Sequence, residues 1–437
     1  MTIDTGRLPE FLRSRRWFGG KGAPIKSVQV IEQADLAGYQ LAVLEVVYEL
    51  GLPERYLAPL KQGPGGTLEE GLDDDDLPRE LLRVVRDQKR IPSAGGLLRG
   101  EYLADAGALH SLSAQPSVRR IVAEQSNTSI VFDERAIMKV IRKIDFGNHP
   151  EWEMGQFLRK HGFSHTPPLL GGVVLEGAVH STLALVHEFV PVEADGWAWM
   201  LAQFRSSPTP SQAVLAELRK LGERLAQMHT VLASPSDDPG FAPEPIHRED
   251  LQRWASSIIG ELGVTIAAAR DHVPELARLH DPLIERINRL AKLEPSGLKI
   301  RHHGDFHLGQ VLRSAGDWLI FDFEGEPARS YAQRREKHTP MRDVAGLVRS
   351  LAYACAAVEL EGAPEGNRLR PARRVFLEGY RAASRVKDLL PRDGDFDMVL
   401  QALEVEKLLY ELRYEINHRP KWVPIPARTL LSLEASG

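Results

Sequence analysis

The sequence predicts an α+β protein with two lobes, a β-rich N-terminal lobe and a mostly helical C-terminal lobe that meet near Val190. Two observations support this fold class. Before Val190, short aliphatic and β-branched runs such as residues 41–48 are separated by Gly and Pro, which is typical of antiparallel strands. After it, apolar residues recur every three or four positions from Val214 to Leu232, which places them on one helix face.

The elements are predicted in chain order. Strand signals over residues 25–61 indicate a small first sheet. The Gly- and Asp-rich residues 63–76 indicate a solvated loop, because their acidic run lacks the ligand spacing and closing Glu of a calcium loop. A hairpin is predicted over residues 130–141 and a helix from about residue 150. The later elements are strands at 312 and 318–321 and helices over 341–360 and 402–414.

Three segments are expected: a cap over residues 1–90, the rest of the N-terminal lobe over 91–190, and a helical lobe over 191–437. A chain of 437 residues exceeds what a single core usually supports. Its 43% hydrophobic and 26% charged residues are typical of globular proteins and not of disordered ones.

The charge and the apolar runs exclude several function classes. The formal net charge of −5 offers no global basic surface, so neither nucleic acid nor a membrane surface is an expected partner. No apolar run approaches the roughly 20 residues that span a bilayer, and the first 16 residues lack the apolar core of a signal peptide. We therefore expect a cytoplasmic protein. The single cysteine, Cys355, rules out an intrachain disulfide and indicates a buried small residue.

Residues 303–327 carry the strongest chemical signal. Asp305 and Gln310 precede the strand signals, and Asp322 follows them. Phosphoryl transfer needs a carboxylate to accept the proton of the attacking hydroxyl, and oxygen ligands to hold Mg²⁺ against the nucleotide phosphates. We therefore predict a kinase in which Asp305 is the catalytic base and Gln310 and Asp322 bind Mg²⁺.

Two alternatives remain for this segment. Asp and Gly are common in turns, so some of these residues have a purely structural interpretation. His303 and His307 flank Asp305 and suggest a zinc site, although no further Cys or His cluster lies nearby in the sequence. In a kinase loop, such histidines more often hydrogen-bond the backbone and orient the carboxylate.

A second set of residues is predicted to bind ATP. The polar segment 124–129 lies between strand signals, and its backbone N–H groups suit phosphate oxygens. Lys139 on the next strand and Glu153 on the following helix match the lysine and glutamate with which kinases hold phosphates. The chain has neither a Walker A motif nor Gly-x-Gly-x-x-Gly. The predicted ATP-binding residues are Ser126, Asn127, Thr128, Ser129, Lys139, Glu153, Glu188 and Val190.

Several segments resemble the bacterial maltokinases, which are sugar kinases similar to aminoglycoside phosphotransferases. The resemblance covers nearly the whole chain. The matching segments are residues 16–21, 124–129, 303–313, 321–327, 342–346 and 406–422. It implies a bilobal protein-kinase-like fold with an N-terminal cap, and MgATP-dependent phosphorylation of maltose at the anomeric hydroxyl to maltose 1-phosphate. It also implies that the product feeds α-glucan (glycogen) synthesis from trehalose, with trehalose synthase as a possible partner. The family's catalytic base matches Asp305, and its magnesium ligands match Gln310 and Asp322.

The predicted substrate-binding residues are His303, Lys407, Tyr410 and Glu411. The last three lie within one turn of a predicted helix and resemble the sugar-contacting face of the family. Lysine and carboxylate groups hydrogen-bond sugar hydroxyls, and tyrosine stacks on a sugar ring. The alternative is an exposed i,i+4 ion pair between Lys407 and Glu411. Trp197 and Trp199 have two interpretations, as a wall of the sugar site or as core.

Two other functions stay open. A related sugar kinase acting on glucosamine has the same fold and much of the same catalytic loop, and it needs carboxylates against the amine. A catalytically silent pseudokinase that acts as a binding partner is the other, although intact Asp305, Gln310, Asp322 and Lys139 argue against it.

Overall fold

The structure is a computed structural model that describes residues 3–103, 107–121, 126–327, 329–383 and 385–433. The chain divides into two compact units. The first contains residues 1–159 and 167–190, and the second contains residues 160–166 and 191–437. The first unit is rich in strands and the second in helices, so the α+β prediction is confirmed.

Most of the first unit is antiparallel sheet. Its strands are β1 (Ile25–Leu36), β2 (Tyr39–Tyr48), β3 (Glu54–Gln62), β4 (Leu68–Glu70), β5 (Arg90–Pro92), β6 (Gly96–Tyr102), β7 (Val118–Ile121), β8 (Thr128–Phe132), β9 (Ala136–Val140), β10 (Lys143–Ile144), β11 (Leu169–Gly177) and β12 (Ser181–Glu188). Its helices are α1 (Leu8–Ser14), α2 (Asp76–Arg86), α3 (Gly107–His110) and α4 (Pro150–Lys160).

These strands form two sheets. The first has the order β1-β2-β3-β10, with β4 paired to β3, and the second has the order β5-β6-β11-β12-β9-β8-β7. The predicted hairpin is confirmed, since β8 and β9 pair in antiparallel register from Thr128 with Val140 to Phe132 with Ala136. Its turn has positive φ at Asp133 and at Glu134, the conformation that hairpin turns of type I′ require.

Strand β2 has apolar residues on both faces because the first sheet is covered on both sides. Ala42 and Leu44 pack with α1 residues such as Phe11. Leu41 and Val43, which alternate with them, pack with the core that contains α2. A strand buried on both faces shows a continuous apolar run instead of alternation, as observed here.

Helices dominate the second unit. They are α5 (Gly196–Ser206), α6 (Gln212–Leu232), α7 (Arg248–Ala269), α8 (His280–Ala291), α9 (Tyr331–Arg334), α10 (Met341–Leu360), α11 (Leu369–Ala382), α12 (Phe396–His418) and α13 (Pro424–Ser432). Its strands are β13 (Ala194–Asp195), β14 (Glu244–Pro245), β15 (Leu298–Lys299), β16 (Val311–Ser314) and β17 (Asp317–Ile320). In the two units together, short 3-10 helices lie at Thr5–Arg7, Pro64–Gly66, Gly71–Asp73, Pro274–Leu279, Leu308–Gln310, Val386–Leu389 and Pro420–Trp422.

The periodicity predictions for the second unit are confirmed. The apolar residues that predicted a helix at Val214–Leu232 are buried in α6. The predicted strands form the hairpin β16-β17, and α10 and α12 contain the two later predicted helices. Residues 63–76 differ from their prediction, because they contain β4 and the first residue of α2 and do not form a single loop. Acidic residues favour a helix N-terminus, which explains an Asp run at the start of α2.

The chain is divided into two units, and the further division of the first 190 residues at residue 90 stays a prediction. A second sheet does begin there, with β5, although β10 returns to the first sheet. Across the described ranges, no helix has the length and apolarity needed to cross a membrane.

Candidate active site

Asp343 holds the backbone in front of the predicted base. From the first turn of α10, its carboxylate accepts hydrogen bonds from the N–H groups of His303 (2.7 Å) and Gly304 (3.0 Å). His229 Nε2 lies 3.0 Å from the same carboxylate. Burial raises the pKa of Asp343, but the bond to His229 and the neighbouring histidines lower it more, so the group stays ionised. Gly304 has a φ of +86°, a backbone conformation that would be strained for a residue with a side chain.

A second hydrogen bond ties the loop to the β16-β17 hairpin. His303 Nε2 donates to the carbonyl oxygen of Phe321 at 2.9 Å, and Phe321 N–H donates to the carbonyl of Gln310 at 3.1 Å. Asp322, which follows, therefore lies beside Gln310. Asp322 has a φ of +65°, a backbone strain that functional sites often retain.

The chemistry of Gln310 and Asp322 fits Mg²⁺. Both side chains are half-buried and offer the oxygen donors that a hard cation prefers. A carboxylate oxygen of Glu324 lies within 4.8 Å of one of Asp322, which adds a candidate that the sequence reasoning missed. The zinc alternative is not supported. Among the described residues, the clustered ligand atoms do not include those of His303, Asp305 and His307.

A cavity of about 550 Å³ opens in front of Asp305, a volume typical of small-molecule sites. Residues from the loop that contains Asp305 and from α5, α10 and α12 line it. They are Asp195, Trp197, Asp305, Phe306, His307, Gly309, Pro327, Gly346, Arg349, Ser350, Tyr353, Lys407, Tyr410, Glu411, Tyr414, Glu415 and Arg419. The predicted base thus shares one cavity with Lys407, Tyr410 and Glu411. His303 is buried and is not among the lining residues, so its contact is with the backbone.

Three of the four carboxylates that line the cavity have cationic partners, and the predicted alternative for Lys407 is wrong. Lys407 is buried and pairs with Glu326 at 2.5 Å, while Glu411 pairs with Arg349 at 2.9 Å. Lys407 Nζ also lies 3.9 Å from Asp305. An exposed ion pair between Lys407 and Glu411 is therefore not formed.

The far end of the cavity contains residues that the sequence reasoning missed. Glu415 is buried and accepts hydrogen bonds from the hydroxyl of Tyr353 and, at 2.6 Å, from Arg419. The ring of Tyr353 stacks on Trp422, with centroids 5.6 Å apart. The spacing of Lys407, Glu411 and Glu415 at intervals of four residues was the available signal, because it places all three on one face of α12.

Aromatic side chains line the cavity, and the two tryptophans of α5 differ. Trp197 lines the cavity with Tyr410 and Tyr414. Trp199 instead packs edge-to-face on Trp318 with ring centroids 5.2 Å apart. Trp197 therefore lies where a sugar-site residue is expected, whereas Trp199 is half-buried against Trp318.

In the first unit, the polar segment has a structural partner. Asn127 Oδ1 accepts from the backbone N–H of Arg142 at 3.3 Å, and Thr128 Oγ1 accepts from Arg142 Nε at 2.9 Å. Arg142 is buried against Glu70 and over the ring of Trp17. The side-chain oxygens of Asn127 and Thr128 thus accept hydrogen bonds from within the protein. The preceding Glu124 and Gln125 of the motif lie outside the described residues.

Lys139 contacts a different glutamate from the one predicted. Lys139 Nζ lies 2.9 Å from Glu151 Oε2, and Glu151 is buried at the start of α4. The predicted Glu153 lies half-buried two positions further along the same helix. At Glu188, the N–H group donates to the carbonyl of Pro168 at 2.9 Å, so this N–H is not available to a ligand. Val190, Ser126 and Ser129 stay predictions.

In sequence, the chain is similar to proteins named glucosamine kinase. No family model matches the chain. A relative from Mycolicibacterium smegmatis named glucosamine kinase is 29% identical over 331 residues, which are 73% of this chain and 80% of the relative. A second relative named glucosamine kinase, from Streptacidiphilus jiangxiensis, is 27% identical over 393 residues, which are 87% of this chain and 86% of that relative.

The same fold is found in solved structures. A glucosamine kinase in complex with glucosamine, ADP and inorganic phosphate matches with a TM-score of 0.71 at 23% identity, over 97% of this chain and 98% of that chain. A second crystal form of glucosamine kinase gives a TM-score of 0.73 at 24% identity, over 95% and 96% of the two chains. These likenesses establish the fold of nearly the whole chain.

Proposed function

We propose that this protein is an ATP-dependent sugar kinase that phosphorylates maltose at its anomeric hydroxyl to maltose 1-phosphate. One observation carries the proposal. Asp305 lies in an aromatic-lined cavity of about 550 Å³, with Lys407 3.9 Å away. A carboxylate in such a cavity is placed to bind and deprotonate the hydroxyl of a neutral ring.

The reaction needs one proton transfer and one phosphoryl transfer. Asp305 accepts the proton of the anomeric hydroxyl. At the same time the oxygen of that hydroxyl forms a bond to the γ-phosphorus, and the bond between the γ-phosphorus and the ADP oxygen breaks. Mg²⁺, when bound, would supply positive charge that offsets the charge of the phosphates. Gln310 and Asp322 would hold that ion. The N–H groups of residues 126–129 and the ammonium of Lys139 would bind phosphate oxygens.

The charge pairing of the cavity favours a neutral acceptor. Glu411 faces Arg349, Glu415 faces Arg419, and Asp305 faces Lys407. The remaining carboxylate, Asp195, accepts a hydrogen bond from the N–H of Ala198 at the start of α5. Three of the four lining carboxylates thus already face a cation, which leaves Asp195 as the one candidate partner for an ammonium group among the described residues. A sugar hydroxyl both donates and accepts hydrogen bonds, so it can bind to a carboxylate or an arginine that already belongs to an ion pair.

The length of the cavity favours a disaccharide. Lys407 and Glu415 both line it and lie eight residues apart on α12, which corresponds to about 12 Å of helix rise. This span is longer than a single pyranose ring, and aromatic rings occur along it. A second sugar unit would occupy the end near Tyr353 and Glu415.

Glucosamine is the second candidate acceptor, favoured by the names of the two relatives. An assay of ADP release with maltose, glucosamine, glucose and an aminoglycoside separates the candidates. We expect turnover with maltose well above the other sugars, and its loss in Asp305→Asn. Preference for glucosamine would replace the acceptor, and absence of turnover with every sugar would leave the pseudokinase interpretation. The trehalose synthase partner and glycogen synthesis rest on the resemblance alone, the cytoplasmic location rests on the apolar pattern of the sequence, and all three stay predictions.

A further inference from the structure

Glu326 lies behind the sugar cavity and has no role in the steps above. It follows Gly325, whose φ is +74°, and its side chain is almost completely buried. Its carboxylate contacts Lys407 and Arg329, each at 2.5 Å, and lies 4.0 Å from Arg342. A buried carboxylate with three cationic neighbours is strongly held in place.

Arg342 and Arg329 share Glu326 with Lys407, but both arginines also have a second carboxylate partner. Glu326 is therefore mainly the partner of Lys407. Arg342 donates to Glu406 at 2.8 Å, and Arg329 lies 3.7 Å from the same carboxylate. Lys407, in contrast, has Glu326 at 2.5 Å and Asp305 at 3.9 Å. The ammonium is therefore held on one side by Glu326 and presented on the other side to Asp305.

We propose that Glu326 is a positioning residue of the proposed kinase, whose carboxylate holds the Lys407 ammonium charged and directed at Asp305. This inference rests on the proposed function. A fixed positive charge near Asp305 keeps the base ionised before the reaction and leaves the ammonium free to donate to an acceptor hydroxyl. Glu326 acts only through Lys407, since it is buried and is not among the residues that line the cavity.

The charge state of Lys407 depends on its surroundings. Burial lowers the pKa of Lys407, but Glu326 and then Asp305 raise it, so that the net shift is upward. Arg342 lowers the pKa, His307 lies in the same electrostatic environment, and the ring of Tyr410 has its centroid 5.8 Å from the ammonium. Without the Glu326 charge, burial and Arg342 act against a single partner at 3.9 Å, and the pKa must fall.

The test is the pH profile of Glu326→Gln. Its amide keeps the shape of the side chain and removes the charge. We expect the alkaline limb of kcat to move down by about 1–3 pH units, the range of one close charge partner, so that kcat at pH 8.5 falls by up to about 10-fold. Glu326→Asp keeps the charge and should restore most of the activity and the wild-type limb.

Two further variants separate positioning from folding. Glu404→Gln removes another half-buried ion pair of α12, that of Glu404 with Arg373 at 2.8 Å, and should leave the pH profile unchanged. Lys407→Met should lose kcat at every pH, and adding Glu326→Gln to it should cost no more. An unshifted alkaline limb in Glu326→Gln, or losses that add fully in the double variant, would overturn the inference.

A readout independent of turnover distinguishes this inference from the proposed function. In protein labelled with ¹⁵N-lysine, the Lys407 Nζ resonance is identified by its loss in Lys407→Met. Its titration should move to lower pH in Glu326→Gln and stay unchanged in Glu404→Gln. If the wild-type protein phosphorylates no sugar, the proposed function fails while this titration still supports or overturns the role of Glu326.

Discussion

The ring of His303 donates a hydrogen bond from Nε2 to the carbonyl oxygen of Phe321, 2.9 Å away and 18 residues later in the chain. This bond joins the loop that carries the predicted base to the hairpin that carries a predicted magnesium ligand. In the proposed reaction the two chemical groups act on one phosphoryl transfer, so their separation must be held to a fraction of an ångström.

His303→Ala should therefore lower kcat more than it raises KM. Misplacement by about 1 Å costs on the order of 10²-fold in rate, so a fall of about 10- to 100-fold in kcat is expected. Steady-state kinetics with maltose and ATP give the result. His165→Asn, which changes a half-buried histidine of the same unit beside Asp317, is the control and should retain wild-type kcat. A rise in KM alone would indicate that His303 contacts the substrate instead.

Asp343→Asn should destabilise the protein by about 2–4 kcal/mol at pH 7, because the buried carboxylate serves three donors. The pKa of Asp343 is lower in the folded protein than in the unfolded chain. Its stabilisation is thus complete above the unfolded pKa of about 3.9 and is lost as pH falls through the folded pKa. Calorimetry should show a constant Tm difference between wild type and variant from pH 8 to 5 that narrows below about pH 4. A difference that widens in acid would contradict the assignment.

Gly346→Ala should disturb the loop that contains Asp305. A Cβ at this position of α10 would lie 2.3 Å from the carbonyl oxygen of Phe306, the neighbour of Asp305. We expect a loss of about 1–3 kcal/mol in stability together with reduced kcat. Gly260→Ala in α7 is the matched control, since its Cβ meets nothing within 4 Å and alanine favours a helix by about 1 kcal/mol. Thermal denaturation of both variants gives the comparison, and equal effects would refute the close approach.

A double-mutant cycle tests the pairing along α12. Arg349 and Glu411 should couple by about 1 kcal/mol or more, because the pair is largely buried and bidentate. Lys407 and Glu411 should show coupling below about 0.5 kcal/mol. Arg349→Met, Lys407→Met, Glu411→Gln and the two doubles are measured by chemical denaturation and by KM for maltose. Strong coupling between Lys407 and Glu411 would restore the ion pair first inferred from their spacing.

Glu151→Gln should weaken ATP use. Glu151 holds the Lys139 ammonium at 2.9 Å, and a hydrogen bond to a charged group contributes about 1.5–3 kcal/mol. The KM for ATP should therefore rise at least about tenfold, the factor that 1.4 kcal/mol represents. Glu153→Gln is the control on the same helix. If Glu153→Gln raises the KM for ATP and Glu151→Gln does not, the residue predicted from spacing alone is the functional partner.

Much of the site was predictable where its parts are close in sequence. Gln310 and Asp322 flank one short hairpin, so the pairing of β16 with β17 brings them together without any distant contact. The glutamate beside Lys139 was harder to predict. Residues 151 and 153 point in different directions from one helix, and the sequence does not specify which side of α4 faces the strand.

The sequence by itself determined the α+β class, two hairpins and several of the chemical groups near Asp305, because periodicity and turn chemistry are local properties. Only the tertiary structure decided which charges pair. Lys407 has a carboxylate four residues away on its own helix, yet it pairs with Glu326, 81 residues away. The physical reason is burial. An enclosed ammonium is stable only beside a carboxylate that is enclosed with it, and the packing of the whole unit determines which residues share that space.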